Sequence, residues 1–371
     1  MRSKTLAAAA CVLTAALTAC GANQAAPSDP GGQTETGKGS GIKVGVILPE
    51  TATSARWEGF DKPMLDAAMR AEGLDPDIQN AQGDVQKFST LADGMISQGV
   101  KVLVIASINS EVGNAVAAKA KSRGIPTIDY DRLNLGGTSD YYVSFDNVKV
   151  GELQGKALAD ALKDKPAAQV IQIEGAPTDN NATLFHEGQM NILQPLYDSG
   201  ALTLVQDQAI DNWDNQKGGI TFEQILTGNG GKVDGVVAAN DGLAGAVITV
   251  LRKNGLNGKV PVTGQDSTPD GLMAVLRGDQ YMTVFKPIKE EAENTARLAA
   301  ALAKGDTAGA DKIATKSADD PKGQRKIKSV LLEPKLVTKN EVKQVVSDGY
   351  VKAADICGGD VAPVCAQLGI G

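Results

Sequence analysis

The chain has 371 residues, 42% of them hydrophobic, and a formal net charge of -7 at pH 7. This length allows two globular domains, each with its own hydrophobic core. The acidic balance, with 44 Asp and Glu against 37 Lys and Arg, comes without a basic patch and argues against a nucleic-acid partner.

The N-terminal segment has the pattern of an export signal. Arg2 and Lys4 precede an apolar run over residues 6–17, which is too short for a comfortable transmembrane helix. The run ends in Leu-Thr-Ala before Cys20, an order that resembles a bacterial lipobox. The resemblance implies that residues 1–19 are a cleaved signal peptide and that Cys20 carries a lipid anchoring the protein to the cell membrane. The alternative is an ordinary signal peptide with an incidental cysteine.

A polar segment follows the expected lipidation site. Residues 21–41 contain no large apolar side chain and are rich in Gly, which is typical of a flexible linker. We therefore expect residues 20–41 to comprise the lipidated cysteine and a tether that holds the folded part just off the membrane.

Short apolar runs alternate with amphipathic stretches from Ile42 onward. The runs have the length and Val/Ile/Leu content of buried parallel strands, which we expect at 43–49, 101–107, 125–131, 141–147, 168–177, 202–210, 233–241, 260–266 and 281–287. The stretches between them predict helices, for example at 88–99, 147–164 and 289–305. This alternation predicts an α/β fold. Neither glycine-rich phosphate-binding motif follows the first strand, so we expect no nucleotide site.

About eight strand–helix units predict two Rossmann-like lobes with a ligand cleft between them. We expect three crossover segments between the lobes, at 143–155, 262–271 and 327–342. They divide the folded part into lobe one (42–145 and 267–326), lobe two (146–266 and 327–350) and a C-terminal tail (351–371). In that tail Cys357 and Cys365 form an even pair, which predicts a disulfide in an oxidising compartment. The alternative is two free thiols.

Polar and aromatic side chains follow the strand ends, where open α/β sheets bind ligands. We expect a binding site formed by Arg56, Trp57, Asp131, Arg132, Asp179, Asn181, Trp213, Asn240, Asp266 and Lys286. Carboxylates accept hydrogen bonds, Arg and Lys donate them, Asn does both, and Trp offers a flat apolar face. This mixture suits the hydroxyls and C–H faces of a sugar better than a phosphate. Taken singly, each residue has another interpretation, since an Asp after a strand is often a helix N-cap and a Trp often belongs to the core.

Longer motifs give residues 42 to about 345 a specific resemblance. They are ARWEGF, YDR, SFDNVKVGELQGKAL, GAPTDNNATLF, EGQMNIL, GQD and MTVFKPI. The chain resembles the pentose- and hexose-binding proteins of bacterial ABC importers, which have the type I periplasmic binding protein fold. The resemblance implies that nine of the ten site residues hold the sugar, and Trp213 is expected to supply a second stacking face besides Trp57. The tail after about residue 350 lies outside the resemblance.

The same resemblance implies the ligand and the partners. We expect an extracytoplasmic monomer that binds a monosaccharide by lobe closure and delivers it to an ABC transporter permease. D-xylose is the first expectation, and glucose, galactose or arabinose are the alternatives. No cofactor and no metal are implied.

Other classes of protein fit the sequence less well. Asp131 and Asp266 could form a glycosidase acid/base pair, but Arg132 and Lys286 would keep both carboxylates ionised rather than raise the pKa of one. His186 lies on a predicted helix and is expected at the surface rather than as a catalytic base. A sugar-responsive repressor would need a DNA-binding helix-turn-helix where the signal and tether stand. A sensor that presents sugar to a membrane receptor stays open as an alternative.

Overall fold

The computed structural model describes residues 41–371 of the chain. The expected signal peptide (1–19), the expected lipidated Cys20 and the expected tether up to residue 40 lie outside the described residues. Within residues 41–371, no helix combines the length and apolar character needed to cross a membrane.

Strands in the described part of the chain form a seven-stranded, a three-stranded and a two-stranded sheet. Their bounds are β1 Ile42–Leu48, β2 Leu74–Asn80, β3 Val102–Ile105, β4 Thr127–Tyr130, β5 Tyr141–Phe145, β6 Ala168–Glu174, β7 Leu202–Ala209, β8 Gly235–Ala238, β9 Thr283–Phe285, β10 Lys316–Asp320, β11 Arg325–Leu332 and β12 Lys335–Val337.

Helices connect and cover these strands. The α-helices are α1 Lys62–Ala71, α2 Val85–Ser97, α3 Ser110–Ser122, α4 Asn147–Leu162, α5 Asn180–Asp198, α6 Asn215–Gly228, α7 Asp241–Lys253, α8 Pro269–Arg277, α9 Ile288–Ala303, α10 Thr307–Ile313, α11 Val342–Ser347, α12 Ala353–Ile356 and α13 Ala362–Leu368. Short helical turns of other pitch span Trp57–Asp61, Asp211–Trp213 and Gly359–Val361.

The first sheet has the strand order β10-β11-β5-β4-β3-β1-β2, with β1 to β5 and β11 joined by parallel pairs and only β10 antiparallel. Its central strands are buried on both faces; all four residues of Val102–Ile105 are buried, for example. Such continuous Val/Ile/Leu runs are what a parallel sheet covered by helices requires. Helix α9 packs against α1 over this sheet.

The second sheet has the order β7-β6-β8 and is also parallel. Met282 and Val284 belong to the hydrophobic cluster that covers it, so the β9 and β12 pair extends this part of the molecule. The alternation of parallel strands and covering helices is the α/β fold expected from the sequence.

Strand pairing corrects several elements and two lobe boundaries. Residues 260–266 make only an isolated bridge, at Val262 to Val236, and β2, β10, β11 and β12 were not expected as strands. Residues 267–285 were assigned to lobe one, but β9 packs with the second sheet, so the chain returns to the first sheet only at α9. Residues 327–332 were assigned to lobe two, but β11 pairs with β5 in the first sheet.

Capping side chains start the helices directly after the strands. Asn109 Oδ1 accepts a hydrogen bond from Val112 N at 3.0 Å, and Asp146 Oδ1 accepts one from Lys149 N at 3.0 Å. These caps satisfy backbone N–H groups that have no partner within the helix. Because these helices begin directly after the strands, their N-termini lie at the carboxyl edge of each sheet, next to the candidate site residues.

The C-terminal segment, defined here as residues 342–371, is folded against the rest of the protein. It contains α11 to α13, and Cys357 and Cys365 form a disulfide within it. Ile356, Val361 and Cys365 are buried in one hydrophobic cluster with Leu272 of α8 and Phe285 of β9.

Candidate ligand-binding site

All ten residues expected to form a site line one cavity at the carboxyl ends of the strands. Thr53, Ser54, Phe185 and Gln265 complete its walls. The space that its walls enclose is small, about 30 Å³, well below the roughly 300–1,000 Å³ typical of small-molecule pockets. The wall draws on the loops after strands of both main sheets.

Arg56 is held by carboxylates on three separate elements. Its Nε and Nη2 donate to the two oxygens of Asp61 at 2.9 and 2.7 Å, Nη2 also donates to Glu291 Oε2 at 3.1 Å, and Nη1 donates to Asp131 Oδ2 at 2.7 Å. Arg has five N–H donors, so one Nη1 hydrogen is left for a ligand. Tyr130 donates its hydroxyl to Asp61 Oδ1 at 2.7 Å and fixes this arrangement from behind.

Asp131 lies at the end of β4, where the backbone leaves the strand with a φ of 60°. This turn lets Asp131 and its neighbour Arg132 both line the cavity, although side chains of adjacent strand residues point to opposite faces. Hydroxyls of Tyr142 and Ser144 donate to the Asp131 carbonyl oxygen at 2.9 and 2.8 Å and hold the turn. Arg132 Nη1 donates to Ser107 O at 3.0 Å, and its guanidinium lies over the Trp57 ring at 5.2 Å.

Asp179 and Asn181 begin helix α5. Asp179 is the N-cap, since Oδ1 accepts from Asn181 N at 3.0 Å, while Oδ2 accepts from Trp213 Nε1 at 3.1 Å. The Trp213 ring packs so closely on Gly175 that a Cβ there would stand 2.2 Å from the ring. Glycine at 175 is therefore what allows Trp213 to take its place in the wall.

Lys286 lies beside two carboxylates of the wall, Asp266 and Asp131. Its Nζ lies 3.0 Å from Asp266 Oδ1 and 4.0 Å from Asp131 Oδ2, and it is buried. Asp266 has a φ of 96°, a backbone conformation that residues other than glycine rarely adopt. Asn240 caps helix α7 by accepting from Leu243 N at 2.9 Å and also lines the cavity. Asp179 and Asn240 thus combine the capping role with a place in the site.

Formal charges in the cavity wall balance. Three cations, Arg56, Arg132 and Lys286, face three carboxylates, Asp131, Asp179 and Asp266. Although burial opposes it, the nearby Arg56, Lys286 and Arg132 lower the pKa of Asp131 below its usual value. Isolated buried charge is costly, so a balanced wall favours a neutral ligand over an anion or a cation.

Two buried polar atoms of the wall have neither a hydrogen-bonding partner nor an ion-pair partner among residues 41–371. They are the Trp57 Nε1 donor and the Gln265 Oε1 acceptor. Because a buried polar group without a partner is unfavourable, a ligand carrying both donors and acceptors would satisfy them. Hydroxyl groups have this property.

Two further ionisable residues, His186 and Asp241, do not line the cavity. His186 lies on α5, where Nε2 is 2.7 Å from Asp207 Oδ2, and Asp241 is buried beneath the Asp266 loop. In the described part of the chain no cluster of His, Cys, Asp or Glu has the arrangement of a metal site.

Four wall residues were not among the predicted site residues, and the sequence signals for them differ in strength. Phe185 follows Asn181 by one helical turn, so the start of α5 could have indicated it. Gln265 directly precedes Asp266, so the same end of an apolar run could have indicated it. Thr53 and Ser54 lie in a loop held by Glu50, whose carboxylate accepts from both backbone N–H groups at 2.7 and 3.1 Å, and no pattern points to them.

Comparison with known proteins gives the family. A model described as a periplasmic binding protein domain matches residues 44–307. The chain belongs to the periplasmic binding protein family. This periplasmic binding protein is 37% identical over 316 residues to the D-xylose-binding periplasmic protein of Escherichia coli strain K12, covering 85% of this chain and 92% of that protein. It is 36% identical over 310 residues to the protein of the same description from Haemophilus influenzae, covering 83% and 90%.

Further relatives and solved structures agree with this family assignment. The multiple sugar-binding periplasmic receptor of Rhizobium radiobacter is 35% identical over 327 residues, covering 84% of this periplasmic binding protein and 91% of the relative. An ABC transporter solute-binding protein from Clostridium phytofermentans with bound β-D-glucose has a TM-score of 0.78 at 29% identity, covering 85% and 99%. A carbohydrate-transporter solute-binding protein from Chloroflexus aurantiacus, in complex with D-glucose, has a TM-score of 0.77 at 27% identity, covering 84% and 97%. These matches confirm the expected type I periplasmic binding protein fold.

Proposed function

We propose that this protein binds a neutral monosaccharide, with D-xylose as the preferred ligand, and delivers it to the permease of an ABC importer. The observation that carries the proposal is the buried cavity with three cations facing three carboxylates. Ionised side chains form strong hydrogen bonds with hydroxyl groups, and the balanced charge suits an uncharged polyol. The apolar surfaces of Trp57, Trp213 and Phe185 suit the C–H faces of a sugar ring.

The choice of D-xylose draws on the relatives. Two curated relatives at 36% and 37% identity are described as D-xylose-binding. Two structural relatives hold glucose, and the Rhizobium radiobacter relative is described as binding multiple sugars. Glucose, galactose and arabinose are therefore the alternative ligands, and sugar presentation to a membrane receptor is the alternative role, favoured by the description of that last relative as a receptor.

Capture of the sugar would proceed by closure of the two lobes. Side chains from the two sheets already meet at the cavity, since Arg132 Nε lies 3.1 Å from Asp179 Oδ2 and Asn181 Nδ2 donates to Asp131 Oδ1 at 3.2 Å. A ligand that contacts both sides favours the closed state by those differential contacts. Every expected site residue but Arg132 is buried, so entry and release require the lobes to open.

The place of action follows from the same proposal. The protein would work outside the cytoplasm as a monomer, held to the membrane by a lipid on Cys20 and separated from it by the tether. It would carry out no reaction on the sugar, because Lys286 pairs with both Asp131 and Asp266, and a glycosidase needs one of its two carboxyl groups free to donate a proton.

Calorimetric titration with D-xylose, L-arabinose, D-ribose, D-glucose and D-galactose tests the proposal. D-xylose should bind most tightly, and D-glucuronate, an anionic sugar, should serve as a control that does not bind. Tight binding of glucose without binding of xylose would overturn the pentose assignment. Failure of all five neutral sugars would overturn sugar binding itself. Deletion of the gene should abolish uptake of the sugar that binds, as expected of an importer component.

A further inference from the structure

The C-terminal segment reaches the candidate site through one side chain, Tyr350. Its ring stacks on Phe60 with centroids 4.5 Å apart and an interplanar angle of 7°, and it meets Phe285 edge-on at 4.9 Å. Its hydroxyl donates to the Asp266 carbonyl oxygen at 3.1 Å. Tyr350 is buried, so these contacts are made out of water.

Each contact of Tyr350 lies next to a wall residue of the cavity. Phe60 belongs to the helical turn that begins at Trp57, and Phe285 directly precedes Lys286. Asp266 is itself a wall residue. A single tyrosine therefore touches three of the chain segments from which the cavity is built, two from the second sheet's side and one from the first.

The Asp266 backbone needs such support. Asp266 and Ser267 have φ values of 96° and 49°, conformations that cost free energy for residues with a Cβ and persist only where the surroundings enforce them. On the other side of the loop, Asp266 N donates to Val284 O at 2.9 Å and Ser267 N donates to Thr283 Oγ1 at 3.1 Å. The Tyr350 hydroxyl binds the carbonyl oxygen between these two N–H groups, so it directly restrains the residue whose carboxylate pairs with Lys286.

The C-terminal segment is anchored well enough to transmit this restraint. The Cys357–Cys365 disulfide closes α12 onto α13, and Asp360 Oδ2 accepts from Arg277 Nε of α8 at 2.7 Å. Ile356, Val361 and Cys365 are buried against the same cluster as Tyr350. The family match ends at residue 307, so nothing in that match accounts for this segment.

We propose that Tyr350 is a positioning residue for the sugar site, and that the C-terminal segment sets sugar affinity by holding Asp266 through the Tyr350 hydroxyl. This inference rests on the proposed sugar-binding function. The proposed effect on sugar affinity depends on the Tyr350 hydroxyl and not on its ring. In this respect Tyr350 differs from the purely apolar members of its cluster.

Tyr350→Phe tests this directly, because it keeps both ring contacts and removes only the hydroxyl. Calorimetry with D-xylose and with D-glucose should show affinity lowered about two- to twelvefold, the equivalent of one neutral hydrogen bond. Tyr141→Phe is the matched control: it removes another hydroxyl hydrogen bond, to Asp311 at 2.8 Å, at a buried tyrosine outside the cavity wall. This control should bind sugar as the unsubstituted protein does.

A double-mutant cycle distinguishes positioning from general packing. If Tyr350 acts through Asp266, the loss caused by Tyr350→Phe should shrink or vanish in an Asp266→Asn background. It should persist in an Arg132→Ala background, since Arg132 does not contact Tyr350. An equal loss in both backgrounds, or no loss in the single variant, would refute the inference alone. Absence of sugar binding by the unsubstituted protein would refute the proposed function and this inference with it.

Discussion

Replacement of Asp131 by Asn changes the charge of the site without changing its shape. Asp131 Oδ2 accepts from Arg56 Nη1 at 2.7 Å and lies 4.0 Å from Lys286 Nζ, while Oδ1 accepts from Asn181 Nδ2 at 3.2 Å. Arg56, Lys286 and Asn181 all present hydrogen-bond donors to Asp131. In either orientation of the asparagine amide, its NH2 group would therefore face another donor. The substitution also leaves two buried cations beside a neutral side chain, which is unfavourable.

The expected loss of sugar affinity follows from the charge of the lost acceptor. A hydrogen bond to a charged group contributes about 1.5–3 kcal/mol, so Asp131→Asn should weaken D-xylose binding roughly tenfold to a hundredfold. The low pKa of Asp131 keeps its carboxylate ionised throughout the neutral range. We therefore expect the ratio between the affinities of the two proteins to stay constant between about pH 6 and 8.

Asp129→Asn is the matched control for this variant. Asp129 lies two residues earlier on β4 and is fully buried, but it accepts from Asn134 and Ser139 and does not line the cavity. Calorimetry should show lower stability but unchanged sugar affinity for this control. Equal affinity of the Asp131→Asn variant and the unsubstituted protein would refute the assignment of Asp131 as a sugar ligand, and so would an equal loss in both variants.

Three further predictions concern the cavity wall, pH dependence and anchoring. Gly175→Ala should push the Trp213 ring out of its place and weaken sugar binding, whereas Gly94→Ala, where a Cβ meets nothing within 4 Å, should not. Burial raises the pKa of Glu174 to about 7, so its contribution to stability is complete in acid and is lost as the pH rises through 7. Glu174→Gln should therefore flatten the dependence of urea-unfolding free energy on pH between about 5 and 8. Cys20→Ser should move the protein from the membrane fraction to the soluble fraction without changing sugar affinity.

Each of these three has an outcome that contradicts it. Unchanged affinity in the Gly175→Ala variant would show that the position of Trp213 does not matter for the sugar. A pH profile of Glu174→Gln that parallels the profile of the unsubstituted protein would show that the pKa of the Glu174 carboxyl is not raised to about 7. Retention of the Cys20→Ser variant in the membrane fraction would contradict lipid anchoring.

The sequence could predict that these ten residues line one cavity because their signals are local. Most of them follow a buried apolar run, although Trp213 follows the largely exposed β7, and the carboxyl ends of parallel strands meet at one edge of a sheet. Asp131 and Arg132 show this well, since the end of β4 at Tyr130 is marked by the change from apolar to charged residues. Cys357 and Cys365, which are joined in the structure, were likewise visible from their number and context.

Other features could not be predicted because they depend on contacts distant in sequence. The strand β2, with the sequence LDPDIQN, lies at the edge of the first sheet and is only partly buried, so it lacks an apolar run. The return to the first sheet at α9 depends on how Met282 and Val284 pack, which no local pattern reveals. The same is true of Glu291, which reaches Arg56 from a helix 235 residues further along the chain.

A crystal structure of the protein with D-xylose tests the central claim most directly. We expect one sugar molecule inside the cavity, with hydroxyls within hydrogen-bonding distance of Asp131 and of groups from the second sheet's side such as Asn240 or Asp266. Sugar bound only outside this cavity, or a cavity without sugar at a saturating concentration, would contradict the account.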